Sequence, residues 1–259
     1  MQTSSLLIET DQRGVCTLKL NRPEKHNALD ADIIHELLVA LKDIDNDPQI
    51  RALIITGMGE SFCSGADMDW MRASAKFNEA DNREDARQFT VLMRSLYDFS
   101  KPTIARVNGP AYGGGLGVIA CCDIAIASNT AQFAFTEVRL GLVPAVISPY
   151  ILASIGPRQA RRLFLTAERF GAAEALDFQL VHQVAKPNDM DDAVEQQIGY
   201  LLKAGPEAIK ACKALVPHPS NEQIESELTA LIAKLRSSPE GQEGLSAFLA
   251  KRKPSWVKD

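Results

Sequence analysis

The 259-residue chain carries 28 Lys+Arg against 33 Asp+Glu, a formal net charge of -5, with 46% hydrophobic residues, 16 Gly and 13 Pro. At this length a fold buries about 70–75% of the surface its unfolded chain exposes, so no disulfide scaffold or structural metal is needed, and disorder and collagen-like fibres are excluded. A mildly acidic chain with no run of Lys or Arg lacks the basic footprint of a nucleic-acid groove, and no apolar stretch approaches the roughly 20 residues that span a bilayer.

The opening MQTSSLLIETDQRG has neither the charged start nor the long apolar run of a signal peptide, so the expected location is the cytoplasm. Segments 5–10 and 14–20 then suit a β-hairpin turning near Gln12, Arg13 and Gly14. After the punctuated loop NRPEKHNALD, Asp30 stands as an N-cap before a helix in which Ile34, Leu37, Leu38 and Leu41 recur at helical spacing. RALIITG at 51–57 is an apolar, β-branched run of the kind found in strands covered on both faces. Residues 58–70 read as a loop, 79–99 as a long helix and 103–107 as a second buried strand. A glycine-rich turn leads to a short helix in LGVIACCD, a third strand in IAIAS and a short pairing at 133–136. Helix-covered strands in succession imply parallel crossovers and an α/β core. From about 157 the pattern reads as helical almost to the end, broken at Pro187, Gly205–Pro206, Pro217–Pro219 and Pro239. The expected partition is an α/β core over 1–194 and a helical region over 195–259.

Cys16, Cys63, Cys121, Cys122 and Cys212 form no C-x-x-C pair, and His26, His35, His182 and His218 show no metal spacing, so neither a metal site nor a disulfide framework is expected. Two glycine-containing loops, SFCSGADMDWM and VNGPAYGGGLGV, each follow a buried strand, where α/β sheets turn backbone N–H groups toward ligands. The glycines fit neither the dinucleotide fingerprint nor Walker A. N–H groups from both loops converging on one oxygen would make an oxyanion hole, with Glu137 of FAFTEVRLGLVP as a carboxylate facing it. A glutamate in so apolar a setting is either paired, with Arg139 or Arg158, or kept for proton transfer.

Together NRPEKHNALD, SFCSGADMDWM, KPTIARVNGPAYGGGLGVIACCDIAIAS, AQFAFTEVRLGLVP and EGLSAFLAKRKPSW resemble the enoyl-CoA hydratase/isomerase (crotonase) superfamily over essentially the whole chain. The segments GADMDWMR, TEVRLGLVPAVISPYI and RRLFLTAERF look most like methylglutaconyl-CoA hydratases and related hydratases of branched terpenoid acids. The resemblance implies a crotonase-like core of repeated β-β-α units, a C-terminal helical trimerisation region, an acyl-CoA substrate, a homotrimer or dimer of trimers, and no cofactor beyond the CoA of the substrate. By position it assigns the oxyanion hole to the N–H groups of Ala66 and Gly114, and acid/base chemistry to Glu137. CoA contacts would fall at Lys25, His26, Ala28 and Ser64, with Gly113 beside the oxyanion donor. Asp67 would cap the helix behind the first loop, while Met68, Met71 and Tyr112 would line the acyl pocket. Lys251 or Lys253 in the tail would reach a CoA phosphate across a subunit boundary. Two-glutamate hydratases of this family carry their first glutamate at the position of Gly117, so one carboxylate is missing here. That departure suits a Δ3,Δ2-enoyl-CoA isomerase as well as a hydratase, and a non-catalytic acyl-CoA binding protein is the reading from another class. Arg72 is a candidate partner for a distal carboxylate on the acyl chain.

Overall fold

Residues 4–214, 216 and 222–254 are described by the computed structural model. Strands β1 (Leu6–Thr10) and β2 (Val15–Leu20) pair antiparallel with Leu6 opposite Leu20, the hairpin read from the sequence. Its turn needs glycine: Gly14 has φ +80°, and a Cβ there would lie 2.1 Å from the Gln49 carbonyl oxygen. Helix α1 (Ala31–Asn46) starts at the expected cap, where the Asp30 side chain accepts from the Ile33 N–H at 3.0 Å, and buries Ile33, Ile34, Leu37, Leu41 and Ile44.

Strand β3 (Ala52–Gly57) is buried along its whole length. It is followed by α2 (Met68–Ser74), α3 (Glu79–Tyr97) and β4 (Thr103–Val107). The 58–70 segment read as loop therefore ends inside a helix; Asp67 nucleates that helix by accepting from the N–H groups of Asp69 and Trp70. Next come β5 (Ala111–Tyr112), α4 (Gly114–Cys121), β6 (Ile124–Ser128) and β7 (Gln132–Ala134), then α5 (Ser148–Thr166), β8 (Phe170–Gly171), α6 (Ala172–Asp177) and β9 (Gln183–Ala185). The main sheet has the order β1-β2-β3-β4-β6-β9, parallel throughout except for the β1 edge. A small second sheet, β5-β7-β8, stands beside it. This is the expected α/β architecture, with one correction. The region beyond 157 is not purely helical, because β8 and β9 are strands too short to leave an alternating pattern.

The last helices are α7 (Met190–Leu202), α8 (Pro206–Ala214), α9 (Glu222–Ser237) and α10 (Pro239–Leu249), so the breaks expected at Gly205–Pro206 and Pro239 fall between helices, and each proline opens the helix that follows it. The Pro217–Pro219 break and His218 lie outside the described residues. Within the chain, α9 runs along α3, with a buried Thr90–Thr229 hydroxyl contact of 3.1 Å and Asn82 donating to Ser237 at 2.8 Å. Helix α10 meets the backbone of 137–141 so closely that a Cβ on Gly244 would lie 2.1 Å from the Leu140 carbonyl oxygen. The helical end is thus a wall of the site, packed on its own chain. No helix among the described residues is long and apolar enough to cross a membrane.

Candidate active site

Two parallel bridges, Leu29 with Ala66 and Cys63 with Ala111, draw the two glycine loops together. Leu29 and the first loop exchange backbone bonds on either side of Ala66, with the Leu29 N–H reaching the Gly65 carbonyl at 2.7 Å and the Asp67 N–H the Leu29 carbonyl at 2.8 Å. That leaves the Ala66 N–H unspent among the described residues. In the second loop Gly113 takes φ +47° and its N–H bonds to Ala134, so Gly114 becomes the first residue of α4. A first-turn N–H has no acceptor within its own helix, and the helix dipole adds partial positive charge there. The loops touch: a Cβ on Gly65 would sit 2.9 Å from the Tyr112 carbonyl oxygen and 3.6 Å from the Gly114 nitrogen. Two free backbone donors thereby face one space, as an oxyanion requires.

Glu137 begins a 3-10 turn, Glu137–Leu140, behind β7. Its carboxyl reaches back to the second loop, where a Cβ on Gly113 would be 3.2 Å from Oε1. Oε2 is buried with no hydrogen-bond partner. Burial pushes the acid up to about 7 from its ordinary 4.5, and the contact with its own backbone N–H offsets only part of that rise. Pairing with arginine is not what the fold provides. The Arg139 guanidinium donates instead to the Ala167 carbonyl at 2.7 Å, and Glu137 Oε2 has no partner, Arg158 included. A carboxyl titrating near neutrality, desolvated and unpaired, is suited to giving and taking a proton.

These groups open into a cavity of about 490 Å³, lined among others by Ser64, Ala66, Met71, Tyr112, Gly113, Gly114 and Glu137. Its apolar wall includes Phe89, Leu142, Val146 and Ile147, and α9 and α10 add Ile232, Leu245 and Phe248. Glu137 is the one carboxylate in the lining among the described residues. A larger open groove of about 1450 Å³ lies beside α8, but it has no glycine loop, and its Asp123 is bonded to Thr103 and Lys213.

Several residues named from the sequence stand elsewhere. Lys25, His26, Ala28, Asp67, Met68, Gly117 and Lys251 do not line this cavity. The Lys25 ammonium bonds to Asp67 at 2.9 Å and Asp69 at 3.1 Å, which raises its pKa. His26 Nδ1 lies 2.9 Å from the Ser61 hydroxyl, and the Ala28 carbonyl accepts from Arg22 at 2.9 Å. Asp67 is nearly inaccessible. Burial opposes its ionisation, but Lys25 and the helix N–H groups outweigh burial and hold the carboxyl below its usual range. Met68 points out to solvent. Lys251 is exposed just beyond α10, and Arg72 pairs with Asp69 at 2.7 Å on an exposed helix face. Cys63 is a packed residue, its thiol pushed up to about 12 by burial.

Gly117 does not leave a vacancy. A Cβ there would lie 2.3 Å from Ile147 Cγ2 and 2.9 Å from Met93 Sδ. Helix α4 is pressed against the apolar wall, and a carboxylate-bearing side chain has no room. The residues missed in the sequence are Arg169 and Arg236, both in the lining. Arg236 is bonded to Asp85 and lies 5.7 Å from the Trp70 ring centroid, while Trp70 Nε1 donates to Asp85 at 2.9 Å. Such a contact between α9, α2 and α3 leaves no periodic signal.

Residues 10–259 match the model of the family described as enoyl-CoA hydratase/isomerase. A crotonyl-CoA hydratase of Syntrophomonas wolfei is 32% identical over 270 aligned residues, with 99% of each chain covered. A putative enoyl-CoA hydratase of Thermus thermophilus is 31% identical over 251, covering 96% of this chain and 99% of that protein. Among solved structures, an enoyl-CoA hydratase from Shewanella pealeana superposes with a TM-score of 0.80 at 41% identity, covering 98% of this chain and 97% of that one.

Proposed function

We propose, from the premise that the chain belongs to the enoyl-CoA hydratase/isomerase family and is an enzyme of it, that it hydrates a 2-enoyl-CoA thioester with Glu137 as its acid/base. The observation that supports this reading above others is the Glu137 carboxyl, buried and unpaired beside Gly113 and raised to about 7. With the thioester oxygen against the Ala66 and Gly114 N–H groups, conjugate addition places negative charge on that oxygen, where the two donors stabilise it. The Glu137 carboxylate takes a proton from the water adding at C3 and, as the acid, returns one to C2 of the enolate. The net change is H at C2 and OH at C3, and the carboxyl ends as it began. Because Ile147 fills the space beside Gly117, the same glutamate serves both transfers.

The apolar part of the cavity wall suits an acyl chain, and the resemblance of GADMDWMR, TEVRLGLVPAVISPYI and RRLFLTAERF to methylglutaconyl-CoA hydratases favours a branched acyl group, 3-methylglutaconyl-CoA among them. The cofactor requirement is none beyond the CoA of the substrate. The assembly that goes with this reading is a homotrimer or dimer of trimers in the cytoplasm, with 195–259 as its trimerisation region; light scattering on the eluting protein tests it.

The lone carboxylate also favours a second reading, a Δ3,Δ2-enoyl-CoA isomerase, in which Glu137 removes a proton from C2 and delivers it to C4. Ultraviolet absorbance of the conjugated thioester separates the two. Loss of absorbance on crotonyl-CoA or 3-methylglutaconyl-CoA, abolished by Glu137→Gln, is the expected result. Gain of absorbance on a 3-enoyl-CoA alone would replace hydration by isomerisation. Full turnover by Glu137→Gln would remove both.

A further inference from the structure

Fifteen arginines are spread through the chain, and most of those described are bonded to carboxylates, as Arg13, Arg22, Arg106 and Arg252 are. Three arginines line the Glu137 cavity; Arg236 is bonded to Asp85, whereas Arg139 and Arg169, both exposed and so at its rim, have no carboxylate partner among the described residues. Both hang from one stretch of chain. Arg139 donates to the Ala167 carbonyl, two residues before Arg169. Arg169 lies over the Tyr112 ring, 5.8 Å from its centroid, a contact that uses the charge of the guanidinium and leaves its N–H donors free.

Neither arginine is turned to the reacting carboxyl: Arg139 is bonded to the Ala167 carbonyl and Arg169 lies over the Tyr112 ring, while Glu137 Oε2 has no partner. Two permanently charged, donor-rich groups without a carboxylate partner in one cavity lining match an oxyanion.

We propose that Arg139 and Arg169 form an anion seat at the rim of the cavity that holds an oxyanion of the thioester substrate. This rests on the thioester reading above. Two parts of such a substrate carry that chemistry, a carboxylate at the far end of the acyl chain and a phosphate of CoA.

The test is calorimetric binding of unreactive saturated thioesters to the full chain. Glutaryl-CoA and valeryl-CoA differ by a terminal carboxylate in place of a methyl group, and their pantetheine thioesters lack the CoA phosphates. The proteins are wild type, Arg139→Gln and Arg169→Gln. For an acyl carboxylate, each variant weakens glutaryl-CoA by about ten-fold, the size of one partly exposed charge-assisted bond, with valeryl-CoA unchanged and the same contrast in the pantetheine pair. For a CoA phosphate, both CoA thioesters weaken equally and both pantetheine thioesters are unaffected. Variants that bind all four like wild type overturn the seat and leave the thioester reading intact. Equal loss on all four with a lowered melting temperature also overturns it, as a structural role. Wild type that binds none of the four removes the thioester reading, and the seat with it.

Discussion

Replacing Glu137 by Gln separates the chemistry of the site from its cost to the fold. The carboxyl moves from an ordinary 4.5 to about 7 on folding because burial penalises its charge. Over that window the folded chain binds more protons than the unfolded one, so stability falls as pH rises from 4.5 to 7 and is level above. At about 1.4 kcal/mol per pH unit the full penalty is about 3 kcal/mol, an upper bound because the cavity opens to solvent. Glutamine has the shape without the charge. Urea titrations should find Glu137→Gln more stable than wild type by about 3 kcal/mol at pH 8 and by about 1 kcal/mol at pH 5. The same variant should lose about 10²–10⁴ in kcat, and wild-type kcat/KM should rise through a single ionisation near 7. Equal stability of the two proteins at pH 8, or a difference that ignores pH, would refute the account of a desolvated, unpaired acid.

Gly117→Ala should destabilise by about 1–3 kcal/mol in thermal melts, since its Cβ meets Ile147 at 2.3 Å, and pairing it with Ile147→Ala should recover part of the loss. In Gly114→Val the added Cβ meets only the movable end of Phe89 at 2.9 Å, so the melt should change little, while kcat drops by about 10²–10³ as the oxyanion donor is screened. Asp67→Ala removes a helix cap and leaves Arg22 and Lys25 without their shared anion, a loss of about 2–4 kcal/mol by urea midpoint. The folded pKa of Asp67 lies below its ordinary 3.8, so its stabilisation is present above that value and vanishes as pH falls through the folded one; the variant's deficit should shrink in acid.

Elements whose pattern is long or fully apolar were legible. The hairpin, the Asp30-capped α1, the buried β3 and β4 and the long α3 all stand where the sequence places them. Helix α2 and strands β8 and β9 were not. Each is between two and seven residues long, and each is fixed by neighbours: Asp67 caps α2, β8 pairs with β7 and β9 with β6. At the site, backbone donors were readable because glycine-rich turns at strand ends announce them. The ion pairs of Lys25 were not readable for the opposite reason, since nothing local shows that Asp67 and Asp69 fold back onto it. Arg169 was invisible, being more than thirty residues from Glu137 and brought to the rim by β8.

Whether Glu137 is paired could not follow from its neighbour Arg139, because the turn between them decides it. In a 3-10 turn of three residues per revolution, positions two apart point to different faces. One face turns Glu137 to Gly113, and the other sends Arg139 to the Ala167 carbonyl. Gly141, at φ +68°, ends that turn against the start of α10, where a Cβ would lie 2.8 Å from the Glu240 carbonyl oxygen. The C-terminal helix thus fixes the turn that keeps the acid apart from its nearest cation. It also supplies Leu245 and Phe248 to the apolar wall of the cavity. An acid poised near 7 is therefore a property of the packed C-terminal region as much as of the residue that bears it, and the motif around Glu137 specifies only half of the site.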